Sequence, residues 1–164
     1  THLAFTAAAR ASGPGAWNTP PGSPRTKAAP GLTGGHERAV NAPYVIDTYG
    51  DLPAKRWAAE ALADAVAEEG QRLHDDPDSV TPEARGAFEV RVAAIKARAT
   101  DVALEIAGRI FEVTGARSTA TAEGLDRFWR NVRTHTLHDP VAYKRREVGR
   151  WVLEGELPEP TWYS

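Results

Sequence analysis

Cysteine is absent from this chain of 164 residues, so disulfides, thiolate metal sites and a cysteine nucleophile are excluded from its chemistry. That fits a reducing cytoplasm, which is the expected location. Methionine is absent too. The first ten residues read as a helix entered in mid-course, so the chain is expected to be a fragment, a processed product or one half of a split enzyme. No apolar run approaches the roughly 18 to 20 residues that span a bilayer, and no basic-then-apolar leader opens the chain. A soluble protein without a membrane partner is expected. Excess charge is also lacking: 20 Lys and Arg oppose 22 Asp and Glu, for a net charge of −2. Nothing therefore pulls the whole chain toward nucleic acid. There is no Rossmann or Walker glycine loop and no Ser-His-Asp signature, which sets NTPase and hydrolase chemistry aside.

What is present is helical. Leu3 and Phe5 anchor a lead helix over residues 1–11, stopped by Gly13-Pro14-Gly15. A Pro/Gly-rich loop follows over 12–42. Asn41 and Pro43 read as an N-cap and a first-turn proline, opening a helix over 43–73 that Pro53 should kink. Thr81-Pro82-Glu83 starts a second helix. In it Phe88, Val92, Ile95, Ala99, Val102, Ile106, Ile110 and Val113 recur at three-or-four spacing until Gly115. Two further helices are expected over 122–136 and 140–153, the latter capped by Asp139. The fold class is all-α: a single antiparallel four-to-five-helix bundle domain over 1–164, with its main bundle at 43–155 and a tail at 156–164.

Chemistry concentrates between Gly115 and Pro140. Arg127, Arg130 and Arg133 recur every third residue, either as a solvated basic face or as a flank that binds phosphate or carboxylate. His135 and His138 lie within one turn of each other. Imidazoles there can exchange protons near neutral pH, cap a helix end or pack in the core; zinc would need further ligands that no signature supplies, so no metal is expected. Arg117 follows a helix-ending glycine, where a loop can present a guanidinium to an anion. Trp129 and Trp151 read as core or interface residues.

The strings Gly115-Ala116-Arg117-Ser118, Gly124-Leu125-Asp126-Arg127 and Trp129-Arg130-Asn131-Val132-Arg133-Thr134-His135-Thr136-Leu137-His138-Asp139-Pro140 stand in one register. Together they resemble the C-terminal signature of the flavin-dependent dibenzothiophene monooxygenase and sulfur-acquisition oxidoreductase family, built on the acyl-CoA dehydrogenase fold. The resemblance covers most of residues 38–157. It implies the C-terminal helical domain of an FMN enzyme, with FAD as the other flavin, that uses reduced flavin and O2 to oxygenate a sulfur or carbon centre of a small organic substrate, organosulfur compounds among them. It implies further parts: an N-terminal helical domain and a β-barrel on this or a partner chain, tetrameric assembly as homo- or hetero-oligomer, and a flavin reductase. By resemblance His138 is the proton donor of the reaction and His135 positions flavin or substrate. Arg117, with Ser118, Arg133 and Arg10, would hold the flavin phosphate. Where the family has an Arg-x-Arg-Pro-Trp type segment, this chain has Arg10 and then Trp17, so one of the two arginines is missing. The glutamate base of the dehydrogenases is absent from Thr136-Leu137-His138-Asp139. Two alternatives stand beside this reading: an acyl-CoA dehydrogenase-like subunit and a non-catalytic helical oligomerisation module.

Overall fold

The computed structural model describes residues 41–159. The lead helix, most of the Pro/Gly-rich loop and Arg10 lie outside the described residues. Four helices follow one another: α1 (Pro43–Asp75), α2 (Pro82–Thr114), α3 (Asp126–Leu137) and α4 (Val141–Glu154), and there is no strand among the described residues. The all-α expectation holds.

Helices α1 and α2 form an antiparallel hairpin of two 33-residue arms, each about 50 Å long. Pro43 and Pro82 sit in the first turns, where the missing amide costs nothing. Thr81 Oγ1 accepts the Ala84 amide at 3.1 Å, as its sequence context requires. Asn41 does not do the same for α1. The N-cap residue is Ala42, without a side-chain bond, and its carbonyl accepts the Val45 and Ile46 amides at 3.0 and 3.1 Å. Helix α1 runs on through Pro53 to Asp75.

Fully buried Leu52 packs with Ala59, Val102 and Ile106, while Val45 meets Ile110 and Val113. A clamp of alternating charge lies beside Leu52. Lys55 Nζ bonds Asp51 at 2.9 Å and Glu105 at 2.7 Å; Arg109 Nη1 reaches the same two carboxylates at 2.7 and 2.8 Å.

Helix α2 is the axis of the molecule, with α1, α3 and α4 all packed on it. Three consecutive residues, Ile95, Lys96 and Ala97, are buried. No single-stripe helix can do that, so α2 is covered on more than one face. Val132 packs against Ala103, Asp139 bonds Lys96, and Leu157 covers Gly86 so closely that a Cβ there would stand 2.9 Å from its Cδ1. Arg145, early in α4, reaches back to Asp101 at 2.5 Å, so the start of α4 shares part of the length of α2 with the end of α3. From Val132 at Ala103 to Asp139 at Lys96, and from Arg145 at Asp101 to Leu157 at Gly86, both run antiparallel to α2, and their joint lies beside Lys96.

Candidate functional site

Helix α3 starts later than its sequence suggests. Residues Thr121–Glu123 form a 3-10 turn that ends at Gly124 in the left-handed region, and the α-helix begins at Asp126. Val132 and Thr136, one turn apart, are its buried contacts. The hydroxyls of Thr134 and Thr136 donate to the carbonyls of Arg130 and Arg133, each at 2.9 Å. Both polar side chains are thus satisfied by their own helix.

The helix closes at Leu137, and His138-Asp139-Pro140 turns the chain into α4. Asp139 is not the cap of α4. Pro140 holds that place without a side-chain bond, because the Asp139 carboxylate faces inward and accepts Lys96 Nζ at 2.8 Å. The Lys96 and Asp139 side chains are 8% and 20% exposed, and desolvation on this scale is tolerated only when the charges are paired. His138, just before the pair, is exposed, and His135, one turn back on α3, is half-buried. Burial first, then the charges of Lys96 and His138, push the His135 imidazole below its ordinary pKa of 6.5. Its surroundings therefore favour the neutral imidazole, which has one donor and one acceptor nitrogen.

Arg127, Arg130 and Arg133 are all exposed. Steps of three residues drift by about 60° around a helix, which puts them on the flank away from Val132. Arg127 stands over the Phe128 ring at 4.9 Å and Arg130 pairs with Asp126 at 3.1 Å. Arg117 and Arg133 are exposed and form no ion pair among the described residues. Ser118 is turned inward: its amide and hydroxyl both donate to the Gly115 carbonyl, at 3.0 and 2.6 Å. Its donors are committed to the turn that carries Arg117, which starts at Gly115 with φ of 79°. Trp129 and Trp151 are 44% and 39% exposed, so neither belongs to the core.

The structure brings His135, His138, Asp139 and Lys96 together and leaves Arg117 apart. The pairings of Val132 with Ala103 and Asp139 with Lys96 place His138 near Ala97, whereas Arg117 lies just beyond Thr114. The separation along α2 is on the order of 25 Å. Lys96 is the residue that sequence reasoning missed. A signal for it exists: its neighbours one turn away, Val92, Ala93, Ala99 and Thr100, include no carboxylate, so any counter-charge had to come from elsewhere in the fold.

A long central helix on which three others pack, with a histidine-bearing joint beside Lys96, defines an all-α helical domain. The chain belongs to the family described as "Acyl-CoA dehydrogenase, C-terminal domain", which matches residues 25–142. It is 46% identical over 140 residues to dibenzothiophene monooxygenase of Rhodococcus erythropolis, covering 85% of this chain and 34% of the relative. It is 37% identical over 122 residues to the probable FMNH2-dependent monooxygenase SfnC of Pseudomonas putida, covering 74% and 31%. Among solved structures, FMN-bound TdsC from Paenibacillus sp. A11-2 superposes with a TM-score of 0.88 at 42% identity, covering 98% of this chain and 39% of that one. The chain thus spans about a third of the length of the curated relatives it matches. The resemblance carried by the motifs between Gly115 and Pro140 is the one these comparisons find.

Proposed function

We propose that this chain is the C-terminal helical part of an FMN-dependent monooxygenase that oxygenates a small organosulfur compound, supplied with reduced flavin by a reductase. The observation that carries the reading is the α3–α4 joint, where an exposed imidazole stands one turn from a half-buried one and the adjoining Asp139 carboxylate is occupied. His138 is exposed, burial lowers the pKa of His135, and Asp139 is bound to Lys96. The named relatives support FMN as the flavin.

The donor set fits such a ligand. Arg117 and Arg133 offer guanidinium groups uncommitted to any described carboxylate, and a guanidinium binds phosphate through two parallel hydrogen bonds. Reduced FMN supplies the two electrons by which O2 is divided between product and water. His138 is the proton donor at the joint: its ring N–H serves oxygen where negative charge gathers, an effect that grows as water is excluded. His135, uncharged, offers a hydrogen bond without adding charge, which suits orientation of flavin or substrate. Ser118 shapes the turn that projects Arg117. The span of about 25 Å along α2 exceeds what one FMN bridges between its reacting ring and its phosphate. Arg117 and the imidazoles of one chain therefore serve different flavins, each completed by a neighbouring copy, in keeping with a tetramer. Trp57 at 60% and Leu153 at 83% exposure are apolar surfaces for further domains or subunits.

The dehydrogenase alternative needs a free carboxylate base at the joint. The one candidate, Asp139, is held by an ammonium at 2.8 Å, which favours monooxygenation. The test is to assemble the chain with the parts that complete its site, then measure flavin fluorescence quenching and O2 uptake with reduced FMN. Binding with uptake supports the proposal; an assembly showing neither leaves the non-catalytic module standing.

A further inference from the structure

We propose that Lys96 is the positioning residue of the α3–α4 joint: bonded to Asp139 from inside the bundle, it fixes the register in which the turn presents His138 outward and holds His135 against α2. The catalytic part of this proposal rests on the monooxygenase reading; the structural part does not.

Three points tie the segment to α2. Val132 docks on Ala103, Thr136 is buried one turn later, and Asp139 reaches Lys96 across 43 positions of sequence. The first two fix where α3 lies but leave its end free to fray, since closing turns are weakly held. The third closes the end. The Lys96 ammonium has no carboxylate within a turn on its own helix, and a buried ammonium cannot be left alone. Asp139 thus has one favourable position, and the two residues between Thr136 and Asp139 are strung between fixed ends. His138 is one of them.

The same lysine acts on His135. Thr100, one turn beyond Lys96 on α2, is 4% exposed, and its Oγ1 has no hydrogen-bond partner among the described residues. The antiparallel register sets it level with His135. At this level helix α2 therefore carries a cation and a neutral hydroxyl, and the carboxylate beside them, Asp101, is paired with Arg145 of α4. From the turn come His138 and the Asp139 carboxylate, which Lys96 occupies; Arg133 stands two residues back on α3. From α4 the charged groups next in sequence are Lys144, Arg145, Arg146 and Glu147; Lys144 pairs with Glu147 at 3.1 Å and Arg145 with Asp101 of α2 at 2.5 Å. The lowering of the His135 pKa by burial, then by Lys96 and His138, agrees with this inventory.

Two substitutions give opposite signs. Lys96→Met removes the cation, so the His135 pKa should rise. Asp139→Asn leaves Lys96 charged and uncompensated, so the His135 pKa should fall further. A role in stability alone would loosen the joint in both variants and move both values upward. Histidine side-chain NMR titration of the chain reads this without flavin. In the assembled enzyme, Lys96→Met should lower kcat about ten- to a hundredfold, the cost of misplacing a reacting group, with KM changed much less; Lys96→Arg should recover part of the loss. If Lys96→Met does not fold, Asp139→Asn decides alone. Titration shifts of the same sign, or an unchanged His135 together with an unchanged kcat, overturn the proposal. If the unsubstituted assembly binds no FMN while the opposite titration shifts appear, the monooxygenase reading falls and the tether stands.

Discussion

His135 and His138 are separated by three positions and by a large difference in surroundings. A group whose folded pKa is depressed contributes its stability above the unfolded pKa and loses it as pH falls through the folded value. For His135, depressed chiefly by burial, that loss begins below pH 6.5 on the unfolded side. Thermal melts should therefore show a stability decline starting below about pH 6.5, and His135→Gln should flatten it. An unchanged slope in that variant would assign the decline to other groups. His138, being exposed, should show the reverse pattern. His138→Ala is expected to alter stability by less than about 0.5 kcal/mol. On the proposed role as proton donor, kcat in the assembled enzyme should fall by about 10² to 10⁴; oxygenated product measured at saturating flavin checks this. The pair itself was legible in the sequence because two histidines in one turn are conspicuous. What set them apart was not legible, because burial against α2 and the Lys96 charge come from a residue 39 positions before His135.

At the scale of elements, the long arms announced themselves. Pro43 and Pro82 mark their starts and Gly115 marks the second stop, and the spacing between them is helical. The apolar spacing on α2 marks a helix, and the structure buries more of it than those positions. Val90, Ala93, Lys96, Ala97, Thr100 and Ala107 join them, because alanine is small enough to admit a second layer and carries little signal of its own. Capping was less legible. Asn41 and Asp139 are both good capping types, yet α1 closes on a backbone carbonyl and Asp139 is drawn away by a buried ammonium. The α1–α2 seam supports two predictions. Leu52→Ala, at a fully buried position, should cost about 2–5 kcal/mol in denaturant unfolding. Beside it, hydrogen bonds from Lys55 and then Arg109 hold the Asp51 and Glu105 carboxyls below their ordinary values of 3.8 and 4.5. Depressed acids stabilise above their unfolded pKa and lose that contribution as pH falls through the folded one. The clamp should therefore hold at pH 5 and fail below about pH 4. The Asp51→Asn/Glu105→Gln variant should show a shallower acid limb than the parent, followed by circular dichroism.

For the whole molecule, the fold separates the two ends of one continuous motif. The strings that carry the family resemblance read as a unit from Gly115 to Pro140, but α3 lies along α2 and carries the histidines away from Arg117 by about 25 Å. Sequence proximity could not show this, since α3 and its preceding turns fold as an arm rather than a loop. On the proposed reading the separation makes a strong demand on assembly: one chain's Arg117 and another chain's His138 complete the same site. Arg117→Ala and His138→Ala assemblies should each be nearly inactive, the first through weakened FMN binding and the second through kcat. Mixed from unfolded or dissociated chains, they should regain activity, because random association leaves about a quarter of sites with an intact arginine from one neighbour and an intact histidine from the other. A single-chain site gives the opposite result, since every site in the mixture keeps one lesion. Activity in the mixture that stays at the sum of the two inactive parents would therefore place both groups on one flavin and refute the shared site, whatever the substrate.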